Sequence, residues 1–226
     1  MANGLVQSRV SGWAAGAVCA AMYAGVTQAH DFVAPRSGWA MLLGTLASVV
    51  AGAVVYKVLL TLLIWLFKRS RLVRKTLLGA RFVEGTWIGH YDRNGETLLT
   101  IEVIDQRDEQ IEIAGRAIDR AHRLHTRWNS NSAAVTPSGK LLFYSYNCRV
   151  LAKNAGHEGM GTFQVDEIGG GEPLKLTGYS IDASDGQADA NIEYKIGPIG
   201  MTDAAIFEEA RKKFPAQFGT NWPTSP

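Results

Sequence analysis

The chain has 226 residues, with 23 Lys and Arg against 21 Asp and Glu, for a formal net charge of +2. That length allows one sizeable domain plus an appendage, and the nearly balanced charge gives no reason to expect DNA or RNA as a partner. The cysteines, Cys19 and Cys148, fall one in each half, which argues against a disulfide framework and predicts reduced thiols.

Charge is distributed unevenly along the sequence, because residues 10–67 are almost free of it. Residues 10–29 and 39–67 form two apolar runs, and each reaches the about 20 helical residues that cross a bilayer core. Pro35 and Gly38 in the link between them predict a short hairpin. An alternative for the first run is a signal peptide cleaved near Ala29; the second run would still anchor the chain.

A basic collar follows the second run in the segment WLFKRSRLVRK. Its cations are Lys68, Arg69, Arg71, Arg74 and Lys75. The positive-inside rule places this collar on the cytoplasmic side, where it also contacts anionic lipid head groups. Residues 1–78 are therefore predicted to be a two-helix transmembrane hairpin, with the N-terminus and the rest of the chain cytoplasmic.

Small residues recur every four positions in both apolar runs. This spacing allows close helix packing in lipid and predicts a homo-oligomer, although small residues are also common in membrane helices generally. Lys57, within the second run, either extends its ammonium to the interface or lines a wet path in an assembly. The predicted membrane-assembly residues are Gly12, Gly16, Gly44, Ser48, Gly52 and Lys57.

The periodicity changes to two after Val83, which is typical of β-strands. Strand-like segments alternate with the turn signals DRNG, TPSG, KNAG, GGGEP and ASDG. Eight such strands predict an antiparallel β-barrel over residues 79–200, wide enough inside for a side-chain core or one small ligand. The predicted strands are EGTWIGHY, ETLLTIEVID, EQIEIAGRAI, HRLHTRWNSNSAAV, KLLFYSYNC, MGTFQVDEI, PLKLTGYSID and ANIEYKI.

A helix is predicted in the C-terminal segment 201–226. MTDAAIFEEARKKF carries Thr202 as N-cap, acidic residues early and basic residues late. The tail after it is either loose or lies over the barrel through Phe218 and Trp222.

No catalytic constellation is found in the sequence, so the chain is not expected to be an enzyme, nor to hold a metal or cofactor. His122 and His125 have odd spacing on one predicted strand and so face opposite sides. His157 lies in a predicted turn beside Glu158, where a lone histidine is more often structural than catalytic.

Ligand binding is better supported, because the predicted barrel combines aromatic rings with cations. Rings can stack nucleobases and arginine forks match phosphate oxygens, although strand tyrosines commonly pack and strand arginines commonly face water. The cluster YSYNCR brings rings, an amide and a cation close together. The candidates are Tyr91, Arg116, Tyr144, Tyr146, Asn147, Arg149 and Tyr179.

This order of elements, with the patterns GTWIG, LFYSYN, GHEG and LTGY, resembles the two-transmembrane β-barrel effectors of CBASS antiphage defence. The resemblance implies a barrel that binds a cyclic dinucleotide made by a neighbouring nucleotide cyclase, and helices that then disrupt the inner membrane. By pattern, Tyr144, Tyr146, Asn147 and His157 would form or support the pocket. The family commonly has proline soon after the YxYxN run, where this chain has Cys148 and Arg149.

Three alternatives stay open at this point, the simplest being an inert membrane scaffold that binds a protein partner and no small molecule. Related barrel effectors of the Panoptes defence system are restrained by their ligand rather than activated by it, and sequence does not give the sign. Gly85-Thr86-Trp87 also matches the opening GxW pattern of lipocalins, which would make the chain a membrane-anchored carrier or sensor of an apolar small molecule.

Overall fold

The computed structural model describes residues 38–93, 95–107, 110–151, 155–167, 173–183 and 188–219, together with positions 16, 20 and 186. The chain divides into two compact units, Met1–Leu77 and Leu78–Pro226. The C-terminal helix belongs to the same unit as the strands, because its apolar face packs against them.

The first unit contains one long helix, α1 (Gly38–Arg69). Its segment Val49–Arg69 has 21 residues, is long and apolar enough to cross a membrane, and is 6% buried. This helix agrees with the second predicted apolar run. The first run lies outside the described residues except for positions 16 and 20, which are helical. One membrane-length helix is thus found in the described part of the chain, and the two-helix hairpin stays a prediction.

The predicted membrane-assembly residues fall partly on α1. Gly44, Ser48, Gly52 and Lys57 all belong to this helix, and Gly16 is helical. Gly12 lies outside the described residues. The four-residue spacing on α1 places its small residues along one face, as predicted.

The basic collar has a structural role as well as its charge. A short helix, α2 (Arg71–Leu78), follows α1 after Ser70. The buried Arg74 guanidinium turns back, and its Nη1 donates to the Lys68 carbonyl oxygen at 3.0 Å. A cation that binds terminal carbonyls stabilises the end of a helix, so Arg74 caps α1 as well as adding positive charge.

The second unit is a closed antiparallel β-barrel, as the sequence predicts. Each strand pairs with the next and the last pairs with the first, so no edge is left exposed. The strands are β1 (Gly85–Arg93), β2 (Glu96–Arg107), β3 (Gln110–Ile118), β4 (Leu124–Val135), β5 (Leu141–Val150), β6 (Ala155–Glu167), β7 (Pro173–Asp182) and β8 (Ala188–Gly197).

The C-terminal segment covers one outer face of the barrel. Helix α3 (Asp203–Lys213) begins at Thr202, whose hydroxyl accepts from the Ala205 amide at 3.4 Å, as predicted. A one-turn helix, α4 (Pro215–Phe218), ends with Phe218 fully buried. Trp222 lies outside the described residues. The helices and strands share one apolar cluster, whose buried members are Ile88, Leu99, Ile101, Ile118, Ile206, Phe207, Ala210, Phe214 and Phe218.

The fourth strand begins later than predicted. The predicted segment starts at His122, whereas β4 begins at Leu124. Asp119 is responsible, because its carboxylate accepts from the amides of Ala121 and Arg123 at 2.9 Å and holds a turn. His122 takes a left-handed φ of 59° in that turn, so the strand cannot begin there.

One end of the barrel interior is filled with side chains. Trp87 is fully buried, and its indole Nε1 donates to the Val83 carbonyl at 2.9 Å. The Gln106 side chain accepts from the Val83 amide at 2.9 Å, which fixes the chain where it enters the barrel. The Lys195 ammonium lies 5.1 Å from the Phe82 ring centroid and 5.7 Å from that of Trp87. This filled end is called the closed end.

Candidate ligand-binding cavity

The other end of the barrel interior contains a small cavity that opens to solvent. Inward-facing residues of strands on all sides line it, because alternate residues of a barrel strand point inward. Its aromatic members are Tyr91, Trp128, Tyr144, Tyr146 and Phe163. Its polar members are Thr100, Glu102, Thr126, His157, Ser180, Asp182, Asp189 and Asn191, together with the thiol of Cys148.

The aromatic rings lie flat against glycines on neighbouring strands. Tyr144 is paired with Gly161 and Tyr146 with Gly159 across β5 and β6. A Cβ added at Gly161 would lie 2.8 Å from the Tyr144 ring, which is too close for any real side chain. Trp128 covers Gly115 on β3 in the same way. The glycines hold the rings against the wall, so the centre of the cavity stays open.

A buried pair of carboxyl groups lies at one side of the cavity, which Glu102 lines. Glu102 and Glu193 are 2% and 1% exposed. Glu102 Oε1 accepts from the Tyr144 hydroxyl at 2.7 Å and from the Trp128 indole at 2.9 Å. Glu193 Oε1 accepts from the Asn191 amide at 2.8 Å.

Burial raises the pKa of Glu193 well above the usual carboxyl range, and the neighbouring Glu102 charge raises it further. Burial likewise raises the pKa of Glu102. Two buried carboxylates in contact cannot both ionise easily, because the charge on each raises the pKa of the other. The side-chain hydrogen bond between the two groups needs a proton on at least one of them.

A second polar group lies at the mouth, around Asp182. The Tyr146 hydroxyl donates to Asp182 Oδ1 at 3.0 Å, and His157 Nε2 lies 2.9 Å from the same oxygen. Burial raises the pKa of the Tyr146 hydroxyl, and the Asp182 charge adds to the effect, so this tyrosine stays protonated and acts as a donor. The mouth thus presents a fixed carboxylate beside an aromatic ring and an imidazole.

Among the residues predicted to bind ligand, Tyr91, Tyr144, Tyr146 and His157 line the cavity. They lie on β1, β5 and β6, and the closed barrel brings them together. This placement agrees with the prediction, although ligand binding by these residues stays a prediction.

The other predicted ligand residues point away from the cavity. Arg116 forms an ion pair with Asp203 of α3 on the outer surface. The Asn147 amide donates to Asn131 at 2.8 Å, also outside. Arg149 is exposed, and Tyr179 is 45% exposed. The cause is strand periodicity: Tyr144 and Tyr146 face inward, so Asn147 and Arg149 on the same strand face outward.

Sequence reasoning missed the acidic character of the cavity, which comes from Glu102, Asp182 and Asp189, with the buried Glu193 beside Glu102. One signal was available, since Glu102 lies in register with Leu98, Thr100 and Ile104 on a single face of β2. That signal was ambiguous, because β2 is buried on both faces. One face lines the barrel interior, and the other packs under the C-terminal helix. In the described ranges, no group of three or more His, Cys, Asp and Glu residues is arranged to hold a metal ion.

No protein-family model, curated protein or solved structure matches the chain. The resemblance to CBASS effectors therefore stays a prediction, and the argument for function rests on the cavity and on the apolar helix.

Proposed function

We propose that this protein is a membrane-anchored antiphage effector whose barrel binds a cyclic dinucleotide. The observation that carries the proposal is the cavity, which combines aromatic rings with hydrogen-bonding groups at one end of a closed barrel. A stacked base gains about 1–3 kcal/mol from an aromatic ring. The polar wall supplies partners for the edge of a base, which an apolar cavity would not.

The same wall argues against the lipocalin-like alternative. An apolar ligand would leave the carboxyl groups of Glu102 and Asp182 without water and without new partners. Burying a polar group in this way costs about 1–3 kcal/mol or more. A ring-bearing ligand that also forms hydrogen bonds fits this lining better than a lipid-like one.

The phosphates of such a ligand would stay at the mouth, since the charged groups lining the cavity are acidic. The turns that join β3 to β4 and β5 to β6 both lie at this end of the barrel. Arg120 is exposed in the first turn, and Arg149 is exposed close to the second. Arginine forks at these positions can bind phosphate oxygens from outside the barrel.

The membrane part of the proposal follows from α1 and the basic collar. A two-pass hairpin in the bacterial inner membrane would keep the N-terminus and the barrel in the cytoplasm. Small residues along the helices would allow close association between copies. Ligand binding would shift the equilibrium between associated and separate helices, and the ligand would either activate or restrain the protein.

Dye leakage from liposomes that contain the full chain tests this function. We add a panel of cyclic dinucleotides that includes the product of a cognate cyclase. At least one of them is expected to raise or lower the leakage. A Tyr144→Ala variant should lose the response, while Tyr179→Ala, which removes an outward-facing ring, should keep it. Leakage that is indifferent to every nucleotide would contradict the proposal.

A further inference from the structure

The cavity wall beside Gly89 brings together oxygen atoms from two strands. Gly89 on β1 is paired with Thr100 on β2 and with Glu193 on β8. A Cβ added at Gly89 would lie 2.8 Å from Thr100 Oγ1 and 2.8 Å from Asn191 Oδ1. The missing side chain therefore leaves the space in which these oxygens meet. Thr100, Glu102, Asn191 and Glu193 are together called the acceptor cluster.

Several oxygens of the acceptor cluster lack a donor. Thr100 Oγ1 and Asn191 Oδ1 are shielded from solvent and have no hydrogen-bond partner among the described residues. Glu102 Oε2 and Glu193 Oε2 likewise have no donor among the described residues. Thr100 is 2% exposed, so its hydroxyl is fully enclosed. A buried polar atom without a partner is destabilising, so each of these atoms favours a ligand that pairs with it.

The chemistry of the cluster determines which ligand group it favours. Carboxylate and amide oxygens only accept hydrogen bonds, and a threonine hydroxyl can also donate one. Any negative charge on the carboxyl pair repels phosphate. The group that fits is neutral or positive, carries adjacent N–H donors and has an acceptor next to them.

We infer that the acceptor cluster binds the hydrogen-bonding edge of a guanine base, an inference that rests on the proposed function. The ring N–H and the 2-amino group of guanine are adjacent and can donate to Glu102 Oε2 and Asn191 Oδ1, the cavity-lining acceptors that have no partner among the described residues. Its neighbouring carbonyl oxygen can accept from the Thr100 hydroxyl. Adenine places a ring acceptor beside a single amino donor, and that acceptor would face an acceptor of the protein.

Two aromatic rings beside the acceptor cluster also support the guanine assignment. Tyr144 and Trp128 both donate to Glu102 Oε1, so their rings lie directly beside the carboxylate. A base that reaches the acceptor cluster therefore passes along aromatic surface. Stacking favours any base, whereas the oxygens discriminate between them.

Isothermal titration with the full chain in detergent tests the inference. The ligands are cyclic di-GMP, cyclic di-AMP and cyclic di-IMP, the last lacking the 2-amino group. We expect cyclic di-GMP to bind at least about tenfold more tightly than the other two, since a bidentate base contact gives about 1–3 kcal/mol of discrimination. Binding of all three with equal affinity, or preference for cyclic di-AMP, would overturn the base assignment and leave the proposed function standing. Binding of no nucleotide would overturn the proposed function.

A matched pair of variants tests whether the acceptor cluster is responsible for the binding of cyclic di-GMP. Glu102→Gln keeps the size of the side chain and an oxygen for Tyr144 and Trp128, but removes the charge, so cyclic di-GMP should bind about tenfold more weakly. Glu112→Gln makes the same change at an exposed position on β3 and should bind within about twofold of the wild type. An unchanged affinity in Glu102→Gln would overturn the assignment. If that variant does not fold, the three-ligand series on the wild type decides the question.

Discussion

The two ends of the barrel interior use the same strands for opposite purposes. At the closed end, Trp87 and Val83 are fully buried and pack with aliphatic side chains. At the open end, carboxyl groups, hydroxyls and aromatic rings surround the cavity. Among the described residues, no buried side-chain nitrogen or oxygen at the closed end lacks a partner, whereas the open end leaves buried oxygens without donors. The comparison indicates that the stabilising core and the cavity are separated along the barrel axis.

Trp87→Ala is the strongest test of that separation. We expect it to lower the free energy of unfolding by about 3–5 kcal/mol, because it removes a fully buried ring and leaves a void. Trp128→Ala, on the half-buried cavity wall, should cost less, because its site already borders open space. Chemical denaturation of the full chain in detergent measures both. An equal loss in the two variants, or the reverse order, would mean that the open end is part of the stabilising core.

Glu193→Gln tests the open end through pH. Burial and the neighbouring Glu102 raise the pKa of Glu193 in the folded state. The folded protein therefore keeps a proton that the unfolded chain releases at about pH 4.3. Between that pH and the folded pKa, unfolding free energy should fall as pH rises, by up to about 1.4 kcal/mol per pH unit. Denaturation at pH 5, 6 and 7 should show this decline in the wild type and in Glu112→Gln. Glu193→Gln should show a shallower decline, because only Glu102 then keeps a raised pKa, and a wild-type stability that rises over this range would contradict the raised pKa values.

The smallest effect is expected from a pair of tyrosine hydroxyls. Tyr146→Phe removes the donor to Asp182 and should weaken cyclic dinucleotide binding severalfold, with a loss of stability of about 1 kcal/mol. Tyr179→Phe makes the same change on the outer face, and should alter stability by less than about 0.5 kcal/mol and leave binding unchanged. Titration and denaturation of both variants check this. Equal effects on binding would mean that ligand contacts the outer face, as the sequence candidates Asn147 and Arg149 suggest.

The barrel could be predicted because turn signals separate its strands and their side chains alternate. The N-cap at Thr202 and the inward Tyr144 and Tyr146 follow from equally local rules. Strand alternation alone could also have placed Asn147 and Arg149 outside, because their spacing from those tyrosines is odd.

The acidic wall could not be predicted, because it depends on closure of the barrel. Glu102 and Glu193 are far apart in sequence and meet only across β1, which lies between their strands. The helix α3 removes the second clue, since it buries the outer face of β2 and so hides which face is internal. Long-range contacts of this kind leave no mark on local periodicity.

The glycines beneath the cavity rings have a consequence for how such a protein changes its ligand. Gly115, Gly159 and Gly161 sit behind Trp128, Tyr146 and Tyr144, out of reach of anything in the lumen. A methyl group at Gly115 or Gly161 would meet ring atoms only, so it would push a ring inward and narrow the cavity. The width of the cavity is therefore adjustable from positions behind its lining, while every residue that faces the open space stays the same.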